Sequence, residues 1–210
     1  MPEQSDALLT DPRDAILDAA ALCFMERGFN ATSIDDIARR LSATKGMVYH
    51  YFDSKAQLFF EIHHRAMDAL FEELEPVVGS DLPAAERFTE MARCYVRTLI
   101  RTQPYQRTVS EAVQMLLRSS TTEAQRAQLE RLQERRKRCE GLFLTVLEEG
   151  IANGSMRAAR PKMSIKPVFG AMNSVINWYQ PRDTETPAQR QDVVDEVVLV
   201  ALRGVMKDSE

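Results

Sequence analysis

An all-α protein of about nine helices is what this 210-residue sequence predicts. Three observations point there. Apolar residues recur every three to four positions along most of the chain. Serine, threonine and aspartate repeatedly stand just ahead of those stretches, where they cap helix starts. Only 8 Gly and 9 Pro interrupt the chain, and their wide spacing favours helices over many short strands. At 44% hydrophobic residues the chain can build a real core, which excludes a disordered or collagen-like chain.

The first helix opens at Asp11, an N-cap followed by Pro12 at the first helical position. Ile16, Ala20, Cys23 and Phe24 form its stripe, and Gly28 ends it. Ser33 and Asp36 make a variant capping box for a second helix with Ile34, Ile37, Ala38 and Leu41 buried. After a tight break at Ser42-Ala43, Thr44 caps a short third helix running to about Phe52. Ser54-Lys55-Ala56-Gln57 is an S-x-x-Q box opening a long fourth helix over 55–75, stopped at Pro76. The segment Pro76 to Pro83 is the best domain boundary, dividing 11–56 and its connecting helix from 76–210.

Beyond it, Phe88, Met91, Tyr95 and Leu99 mark a helix stopped by Pro104. Val109, Val113, Leu116 and Leu117 mark another. Thr121 or Thr122 caps a long helix that ends near Gly150 to Gly154. Arg135 to Arg138 lie on it, and such a cationic run is usually a solvated face. The next helix spans about Pro161 to Tyr179, and Pro167 either kinks it or moves its start. Thr186 to Gln189 opens the last one, in which Val193/Val194, Val197/Val198, Ala201/Leu202 and Val205 repeat every four residues. That period makes a helix face of β-branched residues.

The chemistry concentrates in residues 33–52, which read helix, turn, short helix, the unit that places a recognition helix in the DNA major groove. Lys45, Gly46, Tyr49, His50 and Tyr51 crowd a helix of two turns, so several must point outward, towards phosphates and base edges. Gly46 costs helix propensity but would let a partner approach the backbone. Thr32 and Thr44 stand near helix starts, where hydroxyl and backbone N–H groups attract anions, and Ser54-Lys55 repeat the arrangement.

The run Ile16-Leu17 … Ala19-Ala20 … Phe24 … Gly28-Phe29 … Thr32-Ser33-Ile34 … Ile37-Ala38 … Thr44-Lys45-Gly46 … Val48-Tyr49-His50-Tyr51-Phe52 … Ser54-Lys55 … Leu58 resembles the DNA-binding domain of the TetR family of bacterial transcriptional regulators. The resemblance covers about residues 12–60. It implies an all-helical homodimer with a three-helix head and a larger ligand-binding and dimerisation body. It also implies a repressor that leaves a palindromic operator when a small molecule binds. By position it makes Thr32, Thr44, Lys45, Gly46, Tyr49, His50, Tyr51 and Lys55 the expected DNA contacts. Val48, Ile37, Ala38, Phe24 and Phe52 would be head core, and Tyr49 could instead pack the third helix on the first. The family usually has Gly where this chain has Ser42, which must accept positive φ or use another turn. The family's common Glu after the helix-four Lys is Ala56 here.

Net charge is −4, and residues 1–75 hold 7 Lys/Arg against 14 Asp/Glu. Residues 32–55 are nearly balanced, with four basic and three acidic residues. Distant exposed charges are screened, so these numbers predict few phosphate contacts and a shallow salt dependence of DNA binding.

The ending Asn177-Trp178-Tyr179-Gln180-Pro181 is similar to that of TetR-family members that sense fatty acyl-CoA, which implies a long apolar effector and no resident cofactor. Met91, Tyr95, Met115, Phe143, Met172 and Trp178 are the candidate pocket residues, although plain core suits each of them better. Arg93, Arg97 and Arg101 would meet an effector's acidic group or form a solvated face. The resemblance puts helices 164–180 and 187–206 in a homodimer interface, unless the valine face is buried within its own subunit. A DNA-binding regulator controlled by a protein partner, without a ligand, is the alternative.

An enzyme is a poor fit. Glu61, His64 and Asp68 share a helix face, but a di-iron carboxylate site needs a second Glu-x-x-His, and His50 and His63 lack the Glu. Cys23, Cys94 and Cys139 are far apart and read as buried small hydrophobes. There is no 18-residue apolar run and no basic start followed by an apolar stretch, so the expected compartment is the cytoplasm.

Overall fold

The computed structural model describes residues 11–108, 122–182 and 184–207. Among them run nine helices: α1 (Pro12–Arg27), α2 (Ile34–Arg40), α3 (Lys45–Tyr51), α4 (Lys55–Val78), α5 (Ala84–Arg101), α6 (described over 103–108), α7 (Glu123–Ala152), α8 (Pro161–Trp178) and α9 (Pro187–Leu202). The sole departure from helix and loop among described residues is one antiparallel bridge, Met156 to Met206. The predicted stretch Val109 to Leu117, with Met115, lies outside the described residues.

The chain forms two compact units, the head (to Arg65, with Pro104–Gln128) and the body (Ala66–Gln103 and from Leu129 on). The division between these units falls inside α4 and at the start of α6. Pro76 does not stop α4, which continues to Val78. A proline in the last turn forfeits one N–H, and Gly79 N–H still reaches Glu75 O at 3.1 Å. At α6, the Tyr105 hydroxyl donates to Asp18 of α1, and that of Thr108 to Ala21 O at 3.3 Å.

In the head, local rules set each boundary. The Asp11 carboxylate accepts from Arg13 N–H. Gly28 ends α1 at φ 79°, a conformation that costs other residues a steric penalty. Ser33 and Asp36 form both halves of their capping box, and Thr44 caps α3 through Met47 N–H. At α4 the box is half made. Ser54 Oγ accepts from Gln57 N–H, but the Gln57 side chain turns to Asp53 N–H at 2.6 Å. The α2–α3 turn runs through Ser42 at φ 53°, so this serine does adopt the left-handed conformation. Ile16, Leu17, Phe24, Ile37, Val48, Phe52, Leu58, Phe59 and Ile62 are all buried.

In the body, α5, α7, α8 and α9 bury a core rich in rings. Phe143 meets Phe88, Tyr95 and Phe169 edge-on at centroid distances of 5.5, 5.8 and 5.1 Å. Phe71 of α4 lies beneath the guanidinium groups of Arg138 and Arg135 of α7, which also pair with Glu75 and Asp68. The run Arg135–Arg138 therefore contributes two side chains to packing. Thr122 caps α7 reciprocally with Gln125. Pro167 neither breaks α8 nor delays it: the helix is continuous from Pro161, and Pro167 faces outward. A capping box of Thr186 and Gln189 opens α9, which ends at Leu202, short of the expected 206. The chain then turns back, and Arg157 N–H donates to Val205 O at 2.8 Å. Gly150 makes room for this turn, since a Cβ there would lie 2.4 Å from Met156 Sδ.

Candidate nucleic-acid interface

Helix α3 is anchored by one side chain and offers most of the rest outward. Val48 is wholly buried, while Lys45, Gly46, Met47, Tyr49 and His50 are exposed. Tyr49 is 46% exposed and does not pack α3 onto α1. Tyr51 is half-buried, with the His50 ring edge-on to it at 5.0 Å. Gly46 has an unremarkable backbone, and a Cβ there would meet only Thr44 Oγ1, at an ordinary 3.8 Å. Its own fold leaves room for a side chain at this exposed position. Lys45 Nζ lies 3.1 Å from Asp35 of α2 and 5.8 Å above the Tyr49 ring. Hydrogen bonding to Asp35 raises the Lys45 pKa and keeps it charged.

Two expected contacts have other tasks. The Thr32 side chain is buried, and its hydroxyl donates to Gly28 O at 2.9 Å and Cys23 O at 3.1 Å. It closes the α1–α2 loop and is not free to meet a phosphate. Lys55 reaches back across the same loop. Its ammonium donates to Phe29 O (2.7 Å) and Thr32 O (2.8 Å), more weakly to Asn30 O, and sits 4.6 Å above the Phe29 ring. Burial lowers its pKa. The structure thus makes Lys55 a brace between α4 and the loop before α2. Neither role is visible from position alone, because both follow from how the loop folds over α4.

Helix α2 is itself held by charge. Asp36 accepts from Ser33 and pairs with Arg39 and Arg27 at 3.0 and 3.2 Å, which holds its carboxyl down at about 2. Arg40 pairs with Glu26 at 2.8 Å. The pairings of Asp35 and Asp36 with distant cations were missed in the sequence, where only the i, i+3 spacing of Asp36 and Arg39 is a signal.

Of the body candidates, Met91, Tyr95, Phe143 and Met172 come together in the buried core. The Tyr95 hydroxyl, held protonated by burial, donates to Asn173 Oδ1 at 3.0 Å. Phe169, not anticipated, completes the ring cluster. Trp178 does not join them and stays 54% exposed at the end of α8. Arg93, Arg97 and Arg101 bond Asp195, Gln191 and Glu73 on the surface. Glu61, His64 and Asp68 likewise go to separate partners: Arg13, Gln128 and Arg135. All three cysteines are buried and free. Among the described residues no helix is long and apolar enough to cross a membrane.

Comparison with known proteins covers both units. The family model for bacterial regulatory proteins of the tetR family matches residues 16–62, and that for a tetracyclin repressor-like C-terminal domain matches residues 81–205. The HTH-type transcriptional repressor KstR2 of Rhodococcus jostii is 27% identical over 178 residues, 83% of this chain and 82% of that protein. The solved ketosteroid transcriptional regulator KstR2 of Mycobacterium tuberculosis superposes with a TM-score of 0.81 at 22% identity, covering 98% and 100% of the two chains. AibR, solved with isovaleryl coenzyme A and operator DNA, superposes with a TM-score of 0.71 at 23% identity, covering 90% and 97%.

Proposed function

Because the chain belongs to the TetR family of bacterial regulatory proteins, we propose that it is a homodimeric, ligand-responsive repressor whose α3 reads the major groove of a palindromic operator. The observation that carries this reading is α3 itself. It spends one side chain on the core and turns Lys45, Tyr49 and His50 to solvent beside a glycine its own fold does not require. Lys45 and Tyr49 are assigned to phosphates and base edges, with Thr44, Gly46, His50 and Tyr51 around them. Thr32 and Lys55 are assigned to shaping the head.

Dimerisation is assigned to α8 and α9. In support, Trp178, Leu199 and Val200 are exposed, and a groove of about 460 Å³ between the two helices is lined by Ala171, Trp178, Val193, Val197 and Val200, with Ser174 and the carboxylates of Asp192 and Glu196. A two-fold interface needs such a self-complementary apolar face. The effector is assigned to the body, as a largely apolar acyl-CoA or related compound. Relatives titled as a ketosteroid regulator and an isovaleryl coenzyme A complex support this. The effector releases DNA only by as much as its affinity differs between the DNA-bound and free states.

The test is selection of genomic fragments by the full-length protein, with and without a panel of acyl-CoA thioesters. Enrichment of one palindrome, abolished by Lys45→Ala or Tyr49→Ala in variants that still sediment as dimers, is expected. Release by one thioester identifies the effector class. Fragments that stay bound through the whole panel would favour a regulator controlled by a protein partner. Absence of any enriched palindrome would overturn the DNA-binding reading.

A further inference from the structure

Every cation of the helix-turn-helix segment is already engaged within the head. Among described residues 26–55, Arg27 and Arg39 pair with Asp36, Arg40 with Glu26 and Lys45 with Asp35, while Lys55 is bound to carbonyl oxygens. These pairings are not equivalent. Asp36 is consumed by the capping box of α2. Glu26 and Arg40 join the end of α1 to the end of α2. Asp35 takes no part in capping, and its carboxylate is spent on the one lysine of α3, at 3.1 Å. Both side chains are about half exposed, at 49% for Lys45 and 54% for Asp35, so DNA can reach the pair.

We propose that Asp35 is an affinity-limiting residue: it competes with DNA phosphate for Lys45, so that contact with the DNA backbone alone holds the protein weakly. The proposal rests on the reading that α3 meets DNA. A phosphate that hydrogen-bonds Lys45 comes within roughly 6 Å of the Asp35 carboxylate, inside the Debye length of about 8 Å at physiological salt. It must either displace Asp35 or bear its repulsion. When Asp35 is displaced, its bare carboxylate attracts a cation from solution, which offsets part of the counterion release that drives DNA binding. Any DNA pays this penalty equally. It therefore lowers the affinity for operator and for random sequence by the same factor. A sequence that also satisfies Tyr49 and the other α3 side chains at base edges still binds through those contacts, while random sequence is left with a weakened hold on the backbone.

The test compares full-length wild-type protein with Asp35→Asn, Lys45→Met, the double variant and Asp53→Asn. Binding to a short random-sequence duplex is measured across a salt series. Asp35→Asn keeps the Ser33–Asp36 box, and an unchanged melting temperature checks that it folds. Asp35→Ser serves if it does not. The expected result is random-sequence binding tighter by about two- to fivefold per head, as suits a surface charge pair. The salt slope should steepen by up to about 0.9 per head. Neither change should appear when Lys45 is already Met, nor in Asp53→Asn, and Asp35→Glu should restore wild-type behaviour. Equal affinity and slope for wild type and Asp35→Asn would overturn the proposal. So would a gain that persists without Lys45 or that Asp53→Asn reproduces, since that is bulk charge alone. If wild type and Lys45→Met bind DNA alike, the DNA-binding reading of α3 itself falls, an outcome distinct from the others.

Discussion

The head and the body both combine buried apolar side chains with surface ion pairs, but they differ in how their shortest and longest helices are held. In the head, charge and hydrogen bonds supplement the buried residues: Arg13 to Glu61, Arg65 to Asp14, Arg40 to Glu26, and the Lys55 ammonium across a loop. The body joins helices of up to 30 residues through rings, with Phe143 at the centre of Phe88, Tyr95 and Phe169. Length explains the contrast. A seven-residue helix such as α3 has two turns, and burying more than Val48 would cost it the face it presents. A long helix can bury a full stripe and still keep an apolar face for a partner. The difference teaches that an exposed polar helix need not be loosely placed. The buried Val48 anchors α3, and the Lys45–Asp35 pair adds a polar link to α2.

If the contrast is right, its sharpest break lies in the body. Phe143→Ala should destabilise the protein by about 3–5 kcal/mol, measured as a shift of the urea midpoint, because it empties a close-packed ring site. A loss under 1 kcal/mol would show that the rings are loosely packed. The next test concerns the head. Lys55→Met should cost about 1.5–3 kcal/mol, as expected for hydrogen bonds to a charged group, and should expose the amides of α2 to hydrogen exchange. A phosphate-binding lysine would behave oppositely, changing the salt slope of DNA binding and leaving stability alone. The smallest effect is a gain. Ser42→Gly relieves a left-handed serine at φ 53°, while glycine adds freedom to the unfolded chain. The net should be a stabilisation of up to about 1 kcal/mol in the same urea measurement.

Much of the fold is legible in short windows of sequence. The caps at Asp11, Ser33, Thr44, Thr122 and Thr186 are all made as written, because each needs only residues within three positions. Ser42 was legible as a dilemma, and its φ resolves it. Proline was the poorer guide. Pro76 lies in the last turn of α4 and Pro167 in the second turn of α8; each forgoes one backbone hydrogen bond without ending its helix, so neither marks a boundary.

What the sequence by itself determined is the order of the helices, their capped ends and the polar character of α3, all of which follow from short-range periodicity and capping. Tertiary structure alone decided which polar residues are free. Thr32 and Lys55 read as phosphate ligands until the α1–α2 loop folds over α4 and takes their donors. Asp35 reads as one helix-start acid among several until α2 and α3 pack and bring it to Lys45. Trp178 reads as a pocket aromatic until α8 turns it outward beside α9. The physical reason is common to all four. A side chain's donors, charge or ring are available only where the fold leaves them unsatisfied or uncovered, and that depends on residues distant in the chain.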